Sequence, residues 1–354
     1  MKRGMVAALL CALWACGKSS PASPTNTPNP PPAVEPDPLR TAAASAGKLI
    51  GTAVQSSLLA DPRYGAVFAR HFDYVTAEYE MKWDPIERTR GSEDFSGGDA
   101  IAAFAAARGM RVKGHALVWH QAVPSWVGGL PAAELRTEFE RHIRSVASHY
   151  RGRVLAWDVV NEAVDDSNGF RLRDSVFRQK LGDRYIADAF RIAREADPQA
   201  LLFYNDYSGE GLGGKSDAIY ELVRSLIADG VPIDGVGLQM HVAAGSPPDQ
   251  SSVAANMRRL AALGLRVNIS EMDVRVREIG GPTPANLDRQ KTVYHSMVGV
   301  CVAEPACDAV TFWGFTDAHS WIHSTFGQDA PLLFDAQYAA KPAFFGVLDA
   351  LLHR

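Results

Sequence analysis

Two glutamates that follow apolar runs are the first candidates for chemistry in this sequence of 354 residues. Glu162 comes directly after the mainly apolar run 155–160 and one asparagine, and Glu271 comes directly after a second run, residues 265–270. A charged carboxylate beside a buried run is costly unless it is paired or serves a function. Two such carboxylates, without a metal-binding cluster or a nucleophilic serine or cysteine motif, indicate hydrolysis of a glycosidic bond.

That reaction gives the two glutamates different roles. One carboxyl group protonates the leaving oxygen and the other attacks the anomeric carbon, so their surroundings must separate their pKa values. Glu162 follows Asn161 in an aromatic-rich stretch, and we assign it as general acid and then general base. We expect Glu271 to be the nucleophile, held ionised by a hydrogen bond from His241, with Asp273 as the partner of that imidazole. Chemistry alone leaves the reverse assignment open.

Short β-rich runs alternate with helical stretches along the chain. Strands are predicted at residues 49–54, 74–77, 112–118, 154–160, 201–204, 236–240, 267–270 and 310–315. Apolar side chains at helical spacing lie between them, for example Leu135, Phe139, Ile143, Val146 and Tyr150. This alternation predicts the α/β class and a (β/α)8 TIM barrel as a single catalytic domain, with a doubly wound open sheet as the alternative.

The ends of the predicted strands favour the barrel. Most of these runs end in polar or aromatic residues: Glu78, Trp119–His120, Asn161–Glu162, Asn205–Tyr207, Gln239–His241 and Glu271. A barrel builds its site from the C-terminal ends of many strands, whereas an open sheet uses mainly one switch point. Glu78, Asn205 and Tyr207 are therefore included among the candidate substrate-binding residues.

The N-terminus has the pattern of an export signal. Lys2 and Arg3 precede an apolar stretch, residues 6–15, that is too short to span a bilayer. Residues 13–17 resemble a bacterial lipobox, so we interpret residues 1–16 as a lipoprotein-type signal peptide with Cys16 as the lipidation site. We expect a protein of the bacterial outer membrane or cell surface, with the membrane contacted only through the lipid; a soluble secreted protein is the alternative.

The remaining chain divides by composition. Residues 17–40 are rich in Pro and Ser and predict a disordered linker, and residues 41–354 are assigned to the catalytic domain. The chain has 36 basic and 40 acidic residues, a net charge of −4 at pH 7, and shows no basic patch that would indicate nucleic acid as a partner.

The cysteines of the catalytic domain predict a disulfide. Cys301 and Cys307 are six residues apart in an exported chain, so we expect a local bond between them. A zinc site at His115 and His120 lacks a third convergent ligand, and we expect neither a metal nor a cofactor. The protein is expected to be a monomer.

Six segments, taken in order, resemble glycoside hydrolase family 10, the barrel xylanases, across residues 45–352. They are residues 76–83, 114–120, 157–163, 239–241, 270–273 and 312–321. The resemblance implies a retaining endo-1,4-β-xylanase acting on xylan and xylo-oligosaccharides, with Glu162 as acid/base and Glu271 as nucleophile. Retention in turn predicts carboxyl groups about 5 to 5.5 Å apart.

The resemblance also implies a set of sugar contacts. By position these are Lys82, His115, Trp119, Asn161, Gln239 and His241, with Trp313 and Trp321 as an apolar platform beneath the sugar. Tyr79 stands where the family pattern has an Asn that bonds the sugar one unit further from the cut. A tyrosine could stack on that sugar, bond it through its hydroxyl, or crowd it. We expect altered affinity or product pattern there, with the chemistry retained.

Two other functions are compatible with the sequence. A related barrel glycosidase could act on another β-1,4-glycan, and Tyr79 with the loops 163–173 and 319–329 would decide between the substrates. A non-catalytic polysaccharide-binding lipoprotein is the second alternative, and measurable turnover would exclude it.

Overall fold

The computed structural model describes residues 38–167 and 169–353 of the chain. The predicted signal peptide, Cys16 and nearly all of the predicted linker lie outside these described residues. The first described helix begins at Leu39, whose side chain is fully buried and which lies two residues before the predicted domain boundary at residue 41.

Parallel strands form the centre of the described chain. They are β1 Leu49–Val54, β2 Tyr74–Ala77, β3 Arg111–Trp119, β4 Ala156–Asn161, β5 Leu201–Asp206, β6 Gly235–Leu238, β7 His241–Ala243, β8 Arg266–Arg275 and β9 Cys307–Phe312. The strands β1 to β6 pair in sequence, β1 also pairs with β9, and β6 pairs with β8. Eight strands therefore close on themselves, which confirms the predicted TIM barrel and excludes the open sheet.

Helices follow most of the strands in the chain, and one helix precedes β1. Those of the described residues are α1 Leu39–Ser45, α2 Pro62–His71, α3 Trp83–Ile86, α4 Ser96–Ala106, α5 Ala132–His149, α6 Val176–Leu181, α7 Tyr185–Ala196, α8 Gly214–Ala228, α9 Gln250–Ala261, α10 Pro284–Ala303, α11 Ile322–Thr325 and α12 Pro342–Leu352. The predicted apolar face of α5, from Leu135 to Val146, is buried. Within residues 38–167 and 169–353, no helix is both long and apolar enough to span a bilayer.

Two strand boundaries near His241 and Glu271 differ from the prediction in ways that matter for the site. The run predicted at residues 236–240 stops at Leu238, because Met240 adopts a left-handed conformation with φ of 67°. The chain then resumes as β7, which pairs with β8 so that His241 lies opposite Asp273. The strand predicted to end at residue 270 continues to Arg275, so Glu271 lies inside β8.

Close packing inside the barrel depends on Gly114 of β3, which lies in register with Trp157 of β4. A Cβ atom at Gly114 would lie 2.1 Å from a carbon of the buried indole ring, so only glycine fits there. On the outer side, a disulfide joins Cys301 of α10 to Cys307 of β9, with Cα atoms 5.2 Å apart. The predicted disulfide is therefore present.

Candidate active site

The candidate site is a cleft at the C-terminal ends of the barrel strands. A central cavity of about 520 Å³ is lined by predicted residues: Lys82, His115, Trp119, Asn161, Glu162, Tyr207, Gln239, His241, Glu271, Trp313 and Trp321. An adjoining cavity of about 560 Å³ shares Lys82 and three tryptophans with it, and it adds Glu78 and Tyr79. Of the predicted catalytic and substrate-binding residues, only Asn205 and Asp273 line neither cavity.

Glu162 lies at the end of β4, and its carboxyl group is held by neutral donors. Trp119 donates its indole N–H to Oε2 over 2.9 Å. The amides of Asn161 and Gln239 donate to Oε1 over 3.2 Å and 3.1 Å. Glu162 is 8% exposed and has φ of 57°, a left-handed conformation that is uncommon for a residue other than glycine. The carboxyl group is thus fixed in direction and faces the cavity.

Glu271 is bonded to an amide and an imidazole. Asn205 donates to Oε1 over 2.6 Å, and Nε2 of His241 lies 3.3 Å from Oε2. The Asn205 amide also donates to Oδ1 of Asn161 over 2.9 Å, so it connects the surroundings of the two glutamates. Asn205 was predicted to bind sugar; the structure places it fully buried, with its amide bonded to Glu271 and Asn161.

The imidazole of His241 lies between two carboxylates. Its Nδ1 is 2.8 Å from Oδ2 of Asp273, as predicted, and the β7–β8 ladder places the two residues opposite each other. Trp321 also donates its indole N–H to Oδ2 over 2.8 Å. Burial lowers the pKa of His241, but the charge and hydrogen bond of Asp273, together with those of Glu271, raise it to about 10. His241 is therefore a cation at neutral pH.

This cation and two further groups determine the ionisation state of the proposed nucleophile. Burial would raise the pKa of the Glu271 carboxyl group. The charge of His115, the hydrogen bond and charge of His241, and the charge of Lys82 outweigh burial and hold the pKa at about 2. Glu271 is consequently ionised at any pH at which the protein would act, as a nucleophile must be.

Lys82 separates the central cavity from the adjoining one. Its ammonium group donates to the carbonyl oxygen of Glu78 over 2.7 Å and lies 4.5 Å from the ring centre of Trp119. Burial lowers the pKa of Lys82, against the raising effect of Glu271 and Glu78. Gln55 donates to the Glu78 carboxyl group over 3.2 Å, and burial raises the pKa of Glu78 to about 7. These polar groups form one wall of the adjoining cavity.

Tyr79 forms the outer part of that wall and is 41% exposed. Its hydroxyl group donates to Oδ2 of Asp84 over 2.9 Å, and the Lys82 ammonium group lies 5.4 Å from its ring centre. The hydroxyl hydrogen is therefore already engaged, and the ring lines the cavity. Of the three possibilities left by the sequence, this geometry favours stacking on a sugar.

Comparison with known proteins agrees with this geometry. The family model described as "Glycosyl hydrolase family 10" matches residues 38–350. An endo-1,4-beta-xylanase from Agaricus bisporus is 41% identical over 88% of this chain and 93% of its own length. Endo-1,4-beta-xylanase B from Thermotoga neapolitana is 39% identical over 89% of this chain and 91% of its own length.

The chain belongs to glycosyl hydrolase family 10. Solved structures are similar to it throughout the barrel. Native xylanase 10B from Thermotoga maritima has a TM-score of 0.85 at 40% identity and covers 89% of this chain and 98% of its own. Xylanase 10B from Thermotoga petrophila, in complex with xylobiose, has a TM-score of 0.85 at 38% identity, with coverages of 90% and 98%.

Several residues of this family 10 site were missed by sequence reasoning. Asp158 accepts from His115 over 2.9 Å and pairs with Lys113 over 2.8 Å, so it fixes the imidazole that faces Glu271. Its position inside the apolar run of β4 was a signal that could have found it. Arg275 and Phe326 also line the central cavity, with the Arg275 guanidinium group 4.4 Å from the ring centre of Phe326. No motif in the sequence indicated either residue.

In this family 10 protein, we expect His241→Gln to raise the pKa of Glu271, because burial remains while the neighbouring cation is lost. The reaction needs an ionised nucleophile, so activity is lost as the pH falls through that pKa, which is about 2 in the unaltered protein. Loss of a charged hydrogen bond should lower kcat/KM about 10-fold or more near neutral pH. The loss should be larger at about pH 4.5, near the ordinary pKa of a glutamate.

The measurement is kcat/KM for an aryl glycoside across the acid range, with both proteins confirmed as folded at each pH. Asp273→Asn serves as the matched variant, because it keeps the imidazole but removes the carboxylate that raises its pKa. An identical acid limb in His241→Gln and the unaltered protein would contradict the assigned role of His241.

Proposed function

We propose that this protein is a retaining endo-1,4-β-xylanase, with Glu162 as acid/base and Glu271 as nucleophile. One observation carries the assignment of roles. The carboxylate of Glu271 is bonded to the imidazolium of His241, whereas the donors to Glu162 are the neutral indole of Trp119 and two neutral amides. A cation stabilises a permanently ionised nucleophile, while neutral donors allow a carboxyl group to gain and lose a proton.

The reaction proceeds in two displacements. Glu162 donates its proton to the glycosidic oxygen as that oxygen leaves, and the carboxylate of Glu271 attacks the anomeric carbon to form a glycosyl ester. Glu162, now ionised, takes a proton from water, and that water attacks the anomeric carbon and releases Glu271. The two inversions restore the original configuration. The amides of Asn161 and Asn205 lie between the two glutamates, which fits the short separation that this mechanism requires.

The shape of the cleft supports cleavage inside a polymer. The central cavity continues on one side into the cavity bounded by Tyr79. On the other side a cavity of about 690 Å³ shares Ser208, His241 and Arg275 with it. Polymer can therefore extend in both directions from the two glutamates. The relatives and solved structures reported above carry the name xylanase, and one of them holds xylobiose.

Product analysis tests the substrate and the nucleophile together. The protein and Glu271→Gln are incubated with glucuronoxylan and, separately, with carboxymethylcellulose. We expect xylo-oligosaccharides from xylan alone, of several lengths from the first time points, and loss of turnover by several orders of magnitude in the variant, because its neutral amide cannot form the ester. Glu195→Gln, the same change at an exposed position of α7 where the carboxylate pairs with Arg144 over 2.7 Å, is the matched control and should retain activity. Release from the glucan alone would exclude the proposed substrate.

Tyr79 should contribute affinity for the longer part of the substrate. Loss of one stacking ring should cost about 0.5–1.5 kcal/mol, so Tyr79→Ala should raise KM for xylo-oligosaccharides about 2- to 10-fold. For an aryl β-xyloside, which fills only the central cavity, kcat/KM should stay unchanged. Tyr79→Phe keeps the ring and should lose less. Faster turnover of long substrates by Tyr79→Ala would show instead that the tyrosine crowds the sugar.

We also propose that the protein is an exported monomeric lipoprotein of the bacterial cell surface, anchored through Cys16. The support is the sequence of residues 13–17, and a Pro-rich linker would suit an enzyme with a large external substrate. In a bacterial host, Cys16→Ser should abolish incorporation of labelled fatty acid and move the protein from the membrane fraction to the soluble fraction. Cys11→Ser is the matched control and should change neither. Labelling that survives Cys16→Ser would exclude this anchor.

A further inference from the structure

The backbone turn that carries Glu162 is held by side chains outside the cleft. The left-handed conformation of Glu162 costs about 1–3 kcal/mol for a residue other than glycine, so other contacts must determine it. The N–H group of Glu162 donates to the carbonyl oxygen of Asn205 over 2.8 Å. The turn continues through Ala163 and Val164. The hydroxyl oxygen of Tyr204 accepts hydrogen bonds from this turn, and the guanidinium group of Arg173 donates hydrogen bonds to it.

Tyr204 accepts the N–H groups of the turn. Its hydroxyl oxygen lies 3.1 Å from the nitrogen of Ala163 and 3.2 Å from that of Val164. The hydroxyl group donates its own hydrogen to Asp206, whose Oδ2 also lies 3.3 Å from the nitrogen of Val164. Tyr204 and Asp206 are both fully buried. With the hydrogen directed to the carboxylate, both lone pairs of the hydroxyl oxygen face the two N–H groups.

Arg173 binds the carbonyl groups of the same turn. Its Nε donates to the oxygen of Glu162 over 3.0 Å, and one terminal nitrogen donates to the oxygen of Val164 over 3.2 Å. The backbone N–H of Arg173 donates to the oxygen of Ala163 over 2.7 Å. A planar guanidinium group presents its donors in a fixed fork, so it sets both direction and distance. The N–H and C=O groups on either side of Glu162 are therefore held.

We propose that Tyr204 and Arg173 are positioning residues that keep the carboxyl group of Glu162 in line with the leaving oxygen. This proposal rests on the proposed function, since it assumes that Glu162 is the proton donor. Neither residue touches the central cavity, so neither meets substrate there. Displacement of the turn would move the acid away from the oxygen that it protonates, while Glu271 on β8 would keep its own contacts.

The consequence is a loss that depends on the leaving group. An acid that is misplaced by about 1 Å can cost up to about 100-fold in rate, but only where proton donation is needed. A phenyl leaving group needs the proton, whereas a 2,4-dinitrophenyl leaving group departs as a stable anion. A variant that is merely less stable or binds substrate less well would lose activity equally on both.

The test compares kcat/KM for phenyl and 2,4-dinitrophenyl β-xylobiosides in Tyr204→Phe, which keeps the ring, and Arg173→Lys, which keeps the charge. We expect each variant to lose about 10-fold or more on the phenyl substrate and less than about twofold on the dinitrophenyl substrate. Tyr294→Phe is the matched control, because it removes a buried hydroxyl group that donates to Pro331 over 2.6 Å, away from the turn. It should show no dependence on the leaving group.

Glu162→Ala provides the reference for complete loss of the acid. Equal losses on both substrates in Tyr204→Phe and Arg173→Lys, with a clear leaving-group dependence in Glu162→Ala, would overturn the positioning role alone. Absence of that dependence in Glu162→Ala itself would overturn the acid/base assignment and the positioning role with it. Tyr204 lies in β5 and Arg173 in the loop between β4 and α6, so one folded variant is sufficient to decide.

Discussion

The site depends on one interaction, the imidazolium of His241 held between Glu271 and Asp273. Burial of Glu271 would raise the pKa of its carboxyl group, and His241 opposes this effect with both a hydrogen bond and a charge, together with the charges of His115 and Lys82. His241 can serve this role because the barrel strand β6 stops early and the chain resumes as β7 beside β8. The contribution of His241 to the charge state of the proposed nucleophile is thus a consequence of backbone pairing. A continuous strand through Met240 would reverse the alternation of side chains and direct the imidazole elsewhere.

Neutral amide groups connect the carboxyl groups of Glu162 and Glu271 and hold these two acidic side chains near each other. Asn161, Asn205 and Gln239 each donate to at least one of the two glutamates, and they also bond each other. Because an amide is neutral, it fixes the direction of a carboxyl group without forcing that group to stay ionised. The cation that hydrogen-bonds a glutamate bonds Glu271, whereas the donors to the Glu162 carboxyl group are neutral, and this asymmetry supports the separate roles that we propose.

The sequence was sufficient to predict the barrel and the pair Glu162 and Glu271, because both depend on local patterns: buried runs of strand length and charged residues at their ends. The predicted end of β5, next to Asn205, was wrong for a physical reason. The strand β5 was predicted to end at residue 204 but continues through Asp206, which leaves Asn205 below the rim of the barrel. Depth in a barrel depends on the stagger between neighbouring strands, and that stagger is a property of the closed sheet that no single segment contains.

Left-handed residues at three adjacent strand ends show where the barrel accepts strain. Glu162, Ser208 and Met240 follow β4, β5 and β6, and each has a positive φ. At about 1–3 kcal/mol each, these conformations need compensation from fixed partners. The buried carboxylate of Glu210 accepts the N–H groups of both Ser208 and Met240, over 3.1 Å and 3.0 Å. The turn at Glu162 has its own acceptor in Tyr204. The strain therefore lies in the turns that direct side chains into the cleft, and its compensation lies in buried groups behind them, which leaves the cleft surface free to bind sugar.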